Sequence, residues 1–196
     1  MHHLVFEEIT YDIEALTALY KKMQDCALEY NEHVHQHQTT TKGNIQKLQK
    51  QPPGSDGRLL AVYSPMFEGK EMTDYPEVQQ VLSNFNFLSE PKNESVSFQI
   101  NEPNHKFMKH IDRNLEYRIM LPLLPRDDLA PLTFWNGEEK NYTLNYSMKH
   151  PTAFNGKIVH STEPNSVERV VFNIKVSDET FEDMVVRYNA GTFLNI

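Results

Sequence analysis

From residue 95 to residue 176 the chain breaks into short segments rich in β-branched and aromatic residues, separated by turn residues, which is the spacing of an all-β sandwich or barrel. Eight segments have strand character: 95–101, 106–109, 117–123, 132–135, 142–146, 152–154, 157–160 and 167–176. Pro103-Asn104, Asn136-Gly137 and Asn155-Gly156 punctuate them, and Asn155-Gly156 is expected to supply the left-handed backbone of a tight hairpin. Eight short strands predict a mainly β, jelly-roll core.

The residues before this region have a different texture. Ile13, Leu16, Leu19, Tyr20, Met23, Ala27 and Tyr30 recur every three or four positions, so an amphipathic helix is expected over 11–30, with Asp12 capping its start. Residues 32–57 are polar and end in a loop-like Pro and Gly stretch. A short helix is expected at 44–50, and the loop 38–57 is a candidate lid on composition alone. Residues 59–63 have strand length, and Tyr75-Pro76-Glu77 opens a second helix running to about residue 84. A length of 196 residues predicts a single domain, with 1–93 a helical and mixed support and 94–196 the β core.

Composition narrows the partners. A formal net charge of -8 argues against nucleic acid or an anionic membrane as a partner. One cysteine, Cys26, permits no intramolecular disulfide, and no apolar run reaches membrane-spanning length. The N-terminus lacks a signal-peptide pattern, so a soluble, cytoplasmic protein is expected.

His110-Ile111-Asp112 places two metal-ligand types at i and i+2, which share a face where the backbone is extended. His160, expected to close the strand 157–160, adds a third. Two imidazoles and a carboxylate form the facial triad of non-haem Fe(II) sites, which leaves coordination positions open for chemistry. Nine residues on, Arg169 starts a strand whose Val170, Phe172, Ile174 and Val176 make one apolar face, while Arg169, Val171, Asn173 and Lys175 share the other. An arginine there could clamp a carboxylate in a polar cavity, or reach water and pair with Glu163 or Glu168. His110 and Asp112 could equally sit in a surface turn, and His160 could be a buried histidine satisfied by a carbonyl. His33-x-His35-x-His37 reads as solvated chain rather than a second metal cluster, because no carboxylate or thiol accompanies it. His150 reads as a loop residue, His105 as a candidate for the mouth of the site, and Cys26 as a packed thiol.

The order His110-x-Asp112, His160 and Arg169 on the last long strand resembles the Fe(II)/2-oxoglutarate-dependent oxygenases of double-stranded β-helix fold, also described as jelly-roll or cupin-like. The resemblance covers about residues 95–176. Gln99, Pro103-Asn104, Arg118-x-x-x-Pro122, Phe154-Asn155-Gly156 and His160-Ser161 make it similar to the aspartyl/asparaginyl β-hydroxylase branch. The prolyl hydroxylases share the triad and the gap from His160 to Arg169. The resemblance implies that His110, Asp112 and His160 bind Fe(II), that Arg169 binds the 2-oxoglutarate cosubstrate, and that Arg118 and Gln99 lie near it. It also implies hydroxylation of an unactivated C–H bond of a small molecule, amino acid or peptide side chain by O2, with release of succinate and CO2. Retention of Asp112, which some aspartyl hydroxylases lack, shifts the resemblance toward the free-amino-acid or prolyl type. The alternatives from other classes are a cupin-like metal- or sugar-binding domain without oxygenase activity and a structural jelly roll.

Overall fold

The computed structural model describes residues 1–34, 45–46, 59–63, 66–67, 69–92, 95–101, 103–104, 106–127 and 129–196, with backbone only at 24–34, 45–46, 59–63 and 66–67. Its elements are β1 (His3–Val5), α1 (Ile13–Val34), β2 (Ile45–Gln46), β3 (Leu59–Tyr63), β4 (Met66–Phe67), β5 (Lys70–Glu71), a 3-10 turn at Met72–Asp74 and α2 (Pro76–Leu82). There follow β6 (Val96–Asn101), β7 (Phe107–His110), β8 (Tyr117–Leu124), β9 (Leu132–Asn136), β10 (Glu139–Leu144), β11 (Thr152–Asn155), β12 (His160–Thr162), β13 (Arg169–Val176) and α3 (Phe181–Asn189).

The protein is mainly β, with two antiparallel sheets that pack on one another and a separate two-stranded ribbon of β4 and β5. One has seven strands in the order β1-β11-β8-β13-β6-β3-β2, and the other four in the order β10-β9-β12-β7. Strict alternation splits the larger sheet into two unlike faces. Val96, Phe98 and Ile100 of β6, Tyr117, Ile119, Leu121 and Leu123 of β8, and Val170, Phe172, Ile174 and Val176 of β13 join the apolar core built with Leu16, Leu19, Tyr20 and Met23 of α1, Val78 and Val81 of α2, and Phe181 and Met184 of α3. The opposite face meets the four-stranded sheet through a much smaller apolar cluster of Met120, Leu132, Phe134, Leu144 and Phe154. Around this cluster the face is largely polar, with Val171 and Pro122 as apolar exceptions.

The helices are fixed by their ends. The Asp12 carboxylate accepts from Ala15 N at 2.9 Å, as expected of an N-cap, and Pro76 occupies the first turn of α2. Helix α3 starts at Thr180, whose hydroxyl accepts from Asp183 N at 3.1 Å. It is tied to β8 through buried Glu179, which accepts from the Tyr117 hydroxyl and from Arg187, both at 2.9 Å.

Several local expectations change. Gly137 has φ +60° at the β9–β10 hairpin and Asn104 has φ +65°, as turn residues there should, but Gly156 is not left-handed and β11 does not pair with β12. Gly156 is needed for a close approach instead, described below. His160 opens its strand rather than closing one. Strand β10 covers 139–144 rather than 142–146, which puts Tyr146 in the loop beyond it. Ile45–Gln46 pairs with β3 as a strand where a helix was expected; 44 and 47–50 lie outside the described residues. So do the candidate lid apart from 45–46, His105, and the side chains of Cys26, His33, His35 and His37. Strand β1 and helix α3 were not anticipated. No helix of the described residues is long and apolar enough to cross a membrane.

Candidate metal centre

His110 ends β7, Asp112 follows it, and His160 begins β12. Strands β7 and β12 pair with His110 directly opposite His160, so the topology brings residues fifty positions apart face to face. Their ring centroids are 4.4 Å apart. Asp112 is two residues past the strand end, not on an extended face with His110, and its backbone N–H donates to the Gly156 carbonyl at 2.8 Å. One ligand-type atom from each of the three lies within 4.8 Å of the others; among the described residues no other such cluster of three occurs.

The hydrogen bonds around the imidazoles define their chemistry. His110 Nδ1 lies 2.7 Å from the Met108 carbonyl and His160 Nδ1 lies 2.8 Å from the Ile158 carbonyl. A carbonyl only accepts, so each Nδ1 carries the proton and each Nε2 offers a lone pair. Those two Nε2 atoms stand 3.9 Å from Asp112 Oδ1 and Oδ2 respectively, too far for hydrogen bonds to the carboxylate. The three groups thus converge without satisfying one another, and each imidazole is oriented through its other nitrogen as metal-binding histidines are. The donor set of two imidazole nitrogens and one carboxylate suits a borderline divalent transition metal.

Electrostatics keep the donors in ligand form. Burial against Phe134 and Phe154, with the neighbouring His110 as a second cause, lowers the His160 pKa to about 4. Burial pushes the Asp112 carboxyl up, but Arg118 and the two imidazoles outweigh it and hold the group below its usual range. Near neutral pH, His160 is therefore neutral and Asp112 ionised. His160 is buried whereas the His110 side chain is 40% exposed, so the cluster opens to solvent on the His110 side.

The polar face of the seven-stranded sheet continues from this cluster to Arg169. Arg169 is 2% exposed, and no carboxylate among the described residues pairs with it. Its Nη1 donates to Asn101 Oδ1 at 3.5 Å, its Nη2 donates to the Tyr146 hydroxyl at 3.3 Å, and its Nε has no acceptor among the described residues. The guanidinium carbon lies 5.4 Å from the centre of the Tyr146 ring. The surface alternatives do not hold, since Glu163 pairs with Lys106 and Glu168 accepts from Tyr20. Burial alone lowers the Arg169 pKa, yet so strong a base keeps its proton. Burial likewise pushes the Tyr146 phenol up to about 12 and brings Lys175 down to about 8.

Arg169 has company in being unsatisfied. Ser97 Oγ, Asn101 Nδ2, Thr152 Oγ1 and Asn173 Oδ1 are also buried without a partner among the described residues, and the strand registers put all of these residues on the same face of one sheet. Buried polar groups are ordinarily paired, so a concentration of orphans on one face marks a surface shaped for a polar ligand. Gln99 is on this face too, where its Oε1 accepts from Asn173 Nδ2 at 3.3 Å. Arg118 lies in the site, but its guanidinium is committed to Asp112 through two bonds of 2.7 and 2.8 Å. Sequence reasoning did not single out Asn101, Tyr146 or Thr152. The period-two pattern could have found Asn101, two residues past Gln99 on β6, whereas nothing local marks Tyr146 in its loop.

No family model and no curated protein matches this sequence. Among solved structures, the chain is similar to the crystal structure of a Pseudomonas putida prolyl-4-hydroxylase, with a TM-score of 0.49 at 11% sequence identity, over 91% of this chain and 95% of that one.

Proposed function

We propose that this protein is a dioxygenase dependent on Fe(II) and 2-oxoglutarate, built as one domain on a double-stranded β-helix, that hydroxylates an unactivated C–H bond of a small molecule or of an amino-acid or peptide side chain. The triad His110, Asp112 and His160 would hold the metal, and Arg169 with Tyr146 and Asn101 would take the distal carboxylate of the cosubstrate. Bound there, ferrous iron with 2-oxoglutarate supplies the activation of O2, with succinate and CO2 as co-products.

The observation that carries this reading is the uncompensated Arg169. A guanidinium fully removed from water is strongly destabilising without an anion, and its fork geometry fits a carboxylate. A cation site alone would account for the triad, but not for a buried arginine with an idle Nε on the same inner surface. The other residues act by placement. The Met108 and Ile158 carbonyls hold each Nδ1 proton so that Nε2 stays available, and Phe134 and Phe154 exclude water around His160. The more open His110 side gives the target C–H bond a route in.

Anaerobic calorimetry of 2-oxoglutarate binding with Fe(II), together with succinate detection in air, tests the reading. Metal-dependent binding that is lost in Arg169→Met is the expected result. Cosubstrate binding unaffected by Arg169→Met would overturn it, and metal binding with no cosubstrate binding at all would return the protein to the cupin-like class.

A further inference from the structure

We propose that Arg118 is a positioning residue that acts on the metal through Asp112, and not a residue that binds the cosubstrate; this rests on reading His110, Asp112 and His160 as metal ligands. Arg118 sits on β8 opposite Phe154 of β11 and Lys175 of β13, six residues beyond Asp112, so its side chain enters the site from the sheet wall. Its Nε donates to Asp112 Oδ2 at 2.7 Å and its Nη2 to Oδ1 at 2.8 Å. Two parallel bonds from a planar fork fix both the position and the plane of the carboxylate, which one point charge cannot do.

The plane matters because each carboxylate oxygen faces a different imidazole, Oδ1 toward His110 and Oδ2 toward His160. A rotation about the Asp112 side chain would break that symmetry and turn one oxygen from the triad. The backbone side is held as well. Asp112 N is bonded to the Gly156 carbonyl, and Gly156 N to the Glu116 carbonyl at 2.9 Å. The Asp112 main chain is thus fixed by Gly156, just after β11, and its carboxylate by Arg118. Asp112 is 7% exposed, so drawing Arg118 away to a cosubstrate would strand a buried anion, whereas Arg169 has no such commitment.

Mn(II) titration of the metal-free protein, followed by electron paramagnetic resonance without cosubstrate, tests this. Arg118→Met is expected to weaken Mn(II) binding about 10- to 100-fold, the range for residues that orient a metal ligand. Arg118→Lys, which can grip one oxygen but not both, is expected to fall between that variant and the wild type. Once Mn(II) is saturating, 2-oxoglutarate affinity is expected to be unchanged in both. Wild-type Mn(II) affinity in Arg118→Met overturns the proposal, as does loss of 2-oxoglutarate affinity with Mn(II) binding intact. If Arg118→Met does not fold, Arg118→Lys decides, with weakened Mn(II) binding in support and wild-type binding against. Failure of the underlying reading looks different: the wild type takes up no Mn(II), or Asp112→Ala binds it as well as the wild type, and the proposal then falls with it.

Discussion

The two faces of β13 are built from alternate residues of one eight-residue segment, yet they do opposite things. Val170, Phe172, Ile174 and Val176 are buried among the helices, and burying each such side chain fully contributes about 1.5–3 kcal/mol. Arg169, Val171, Asn173 and Lys175 face the second sheet, where Arg169 Nε and Asn173 Oδ1 have no partner among the described residues. An unsatisfied buried polar atom costs about 1–3 kcal/mol. One face of the strand therefore holds the fold together while the other gives up stability to bury polar groups, as the proposed ligand site requires. Substitutions on the two faces should differ in sign as well as in size.

The largest effect is expected on the helix side. Phe172 is completely buried against Phe98, with ring centroids 5.2 Å apart, and Phe172→Ala should lower the unfolding free energy by about 3–5 kcal/mol in a urea titration. A loss under about 1 kcal/mol would mean that this face is not the main support.

Protonation of His160 comes next and acts on the site side. His160 has a folded-state pKa of about 4, against 6.5 for the free group. Between those values the unfolded chain binds a proton that the folded chain does not. The His160 contribution is thus fully present above about pH 6.5 and is lost as pH falls toward 4, on the order of 2–3 kcal/mol. Urea titrations of the metal-free protein at pH 7.5 and 4.5 should show this loss, and His160→Leu should flatten it. The window lies above the Asp112 range, which is itself lowered, so the carboxylate adds little to the slope.

Arg169→Met should reverse the sign seen for Phe172→Ala. With no carboxylate to lose among the described residues, the ligand-free protein is expected to gain about 1–3 kcal/mol while losing 2-oxoglutarate binding. Destabilisation by the same substitution would show that Asn101 and Tyr146 already compensate the charge, and the contrast between the faces would shrink.

How much of this was legible in the sequence follows from how far each interaction reaches. Strand β13 and its two faces were readable because alternation is a local property, and His110, Asp112, His160 and Arg169 stood out by residue type and order. The Arg118 partner was not readable. Nothing in a six-residue spacing across a loop says that the guanidinium turns back to Asp112 rather than onward to a ligand. Tyr146 was placed on a strand, but it reaches Arg169 from a loop after β10, through tertiary packing that leaves no local trace. Helix α3 carried a readable signal in Thr180 with Asp183 three residues on, and it was missed because the strand pattern ended just before it.

Gly156 is the subtlest case, and it yields the smallest prediction. The Asn155-Gly156 pair suggested a left-handed turn, but Gly156 adopts a backbone that any residue could adopt. What excludes a side chain is space. A Cβ there would lie 3.1 Å from Asp112 Cβ, 3.2 Å from the Glu116 carbonyl oxygen and 3.3 Å from Asp112 Oδ2. Gly156→Ala should therefore cost little in backbone strain and push on Asp112 directly. Its neighbours need to give only slightly, so stability should change by less than about 1 kcal/mol. The proposed metal ligand is displaced, however, and productive sites tolerate only about 0.5 Å of misplacement, so Mn(II) affinity should fall several-fold. Equal affinity in Gly156→Ala and the wild type would show that Asp112 can shift within the Arg118 fork without leaving the metal, and that the glycine serves only the packing of β11 against the end of β7.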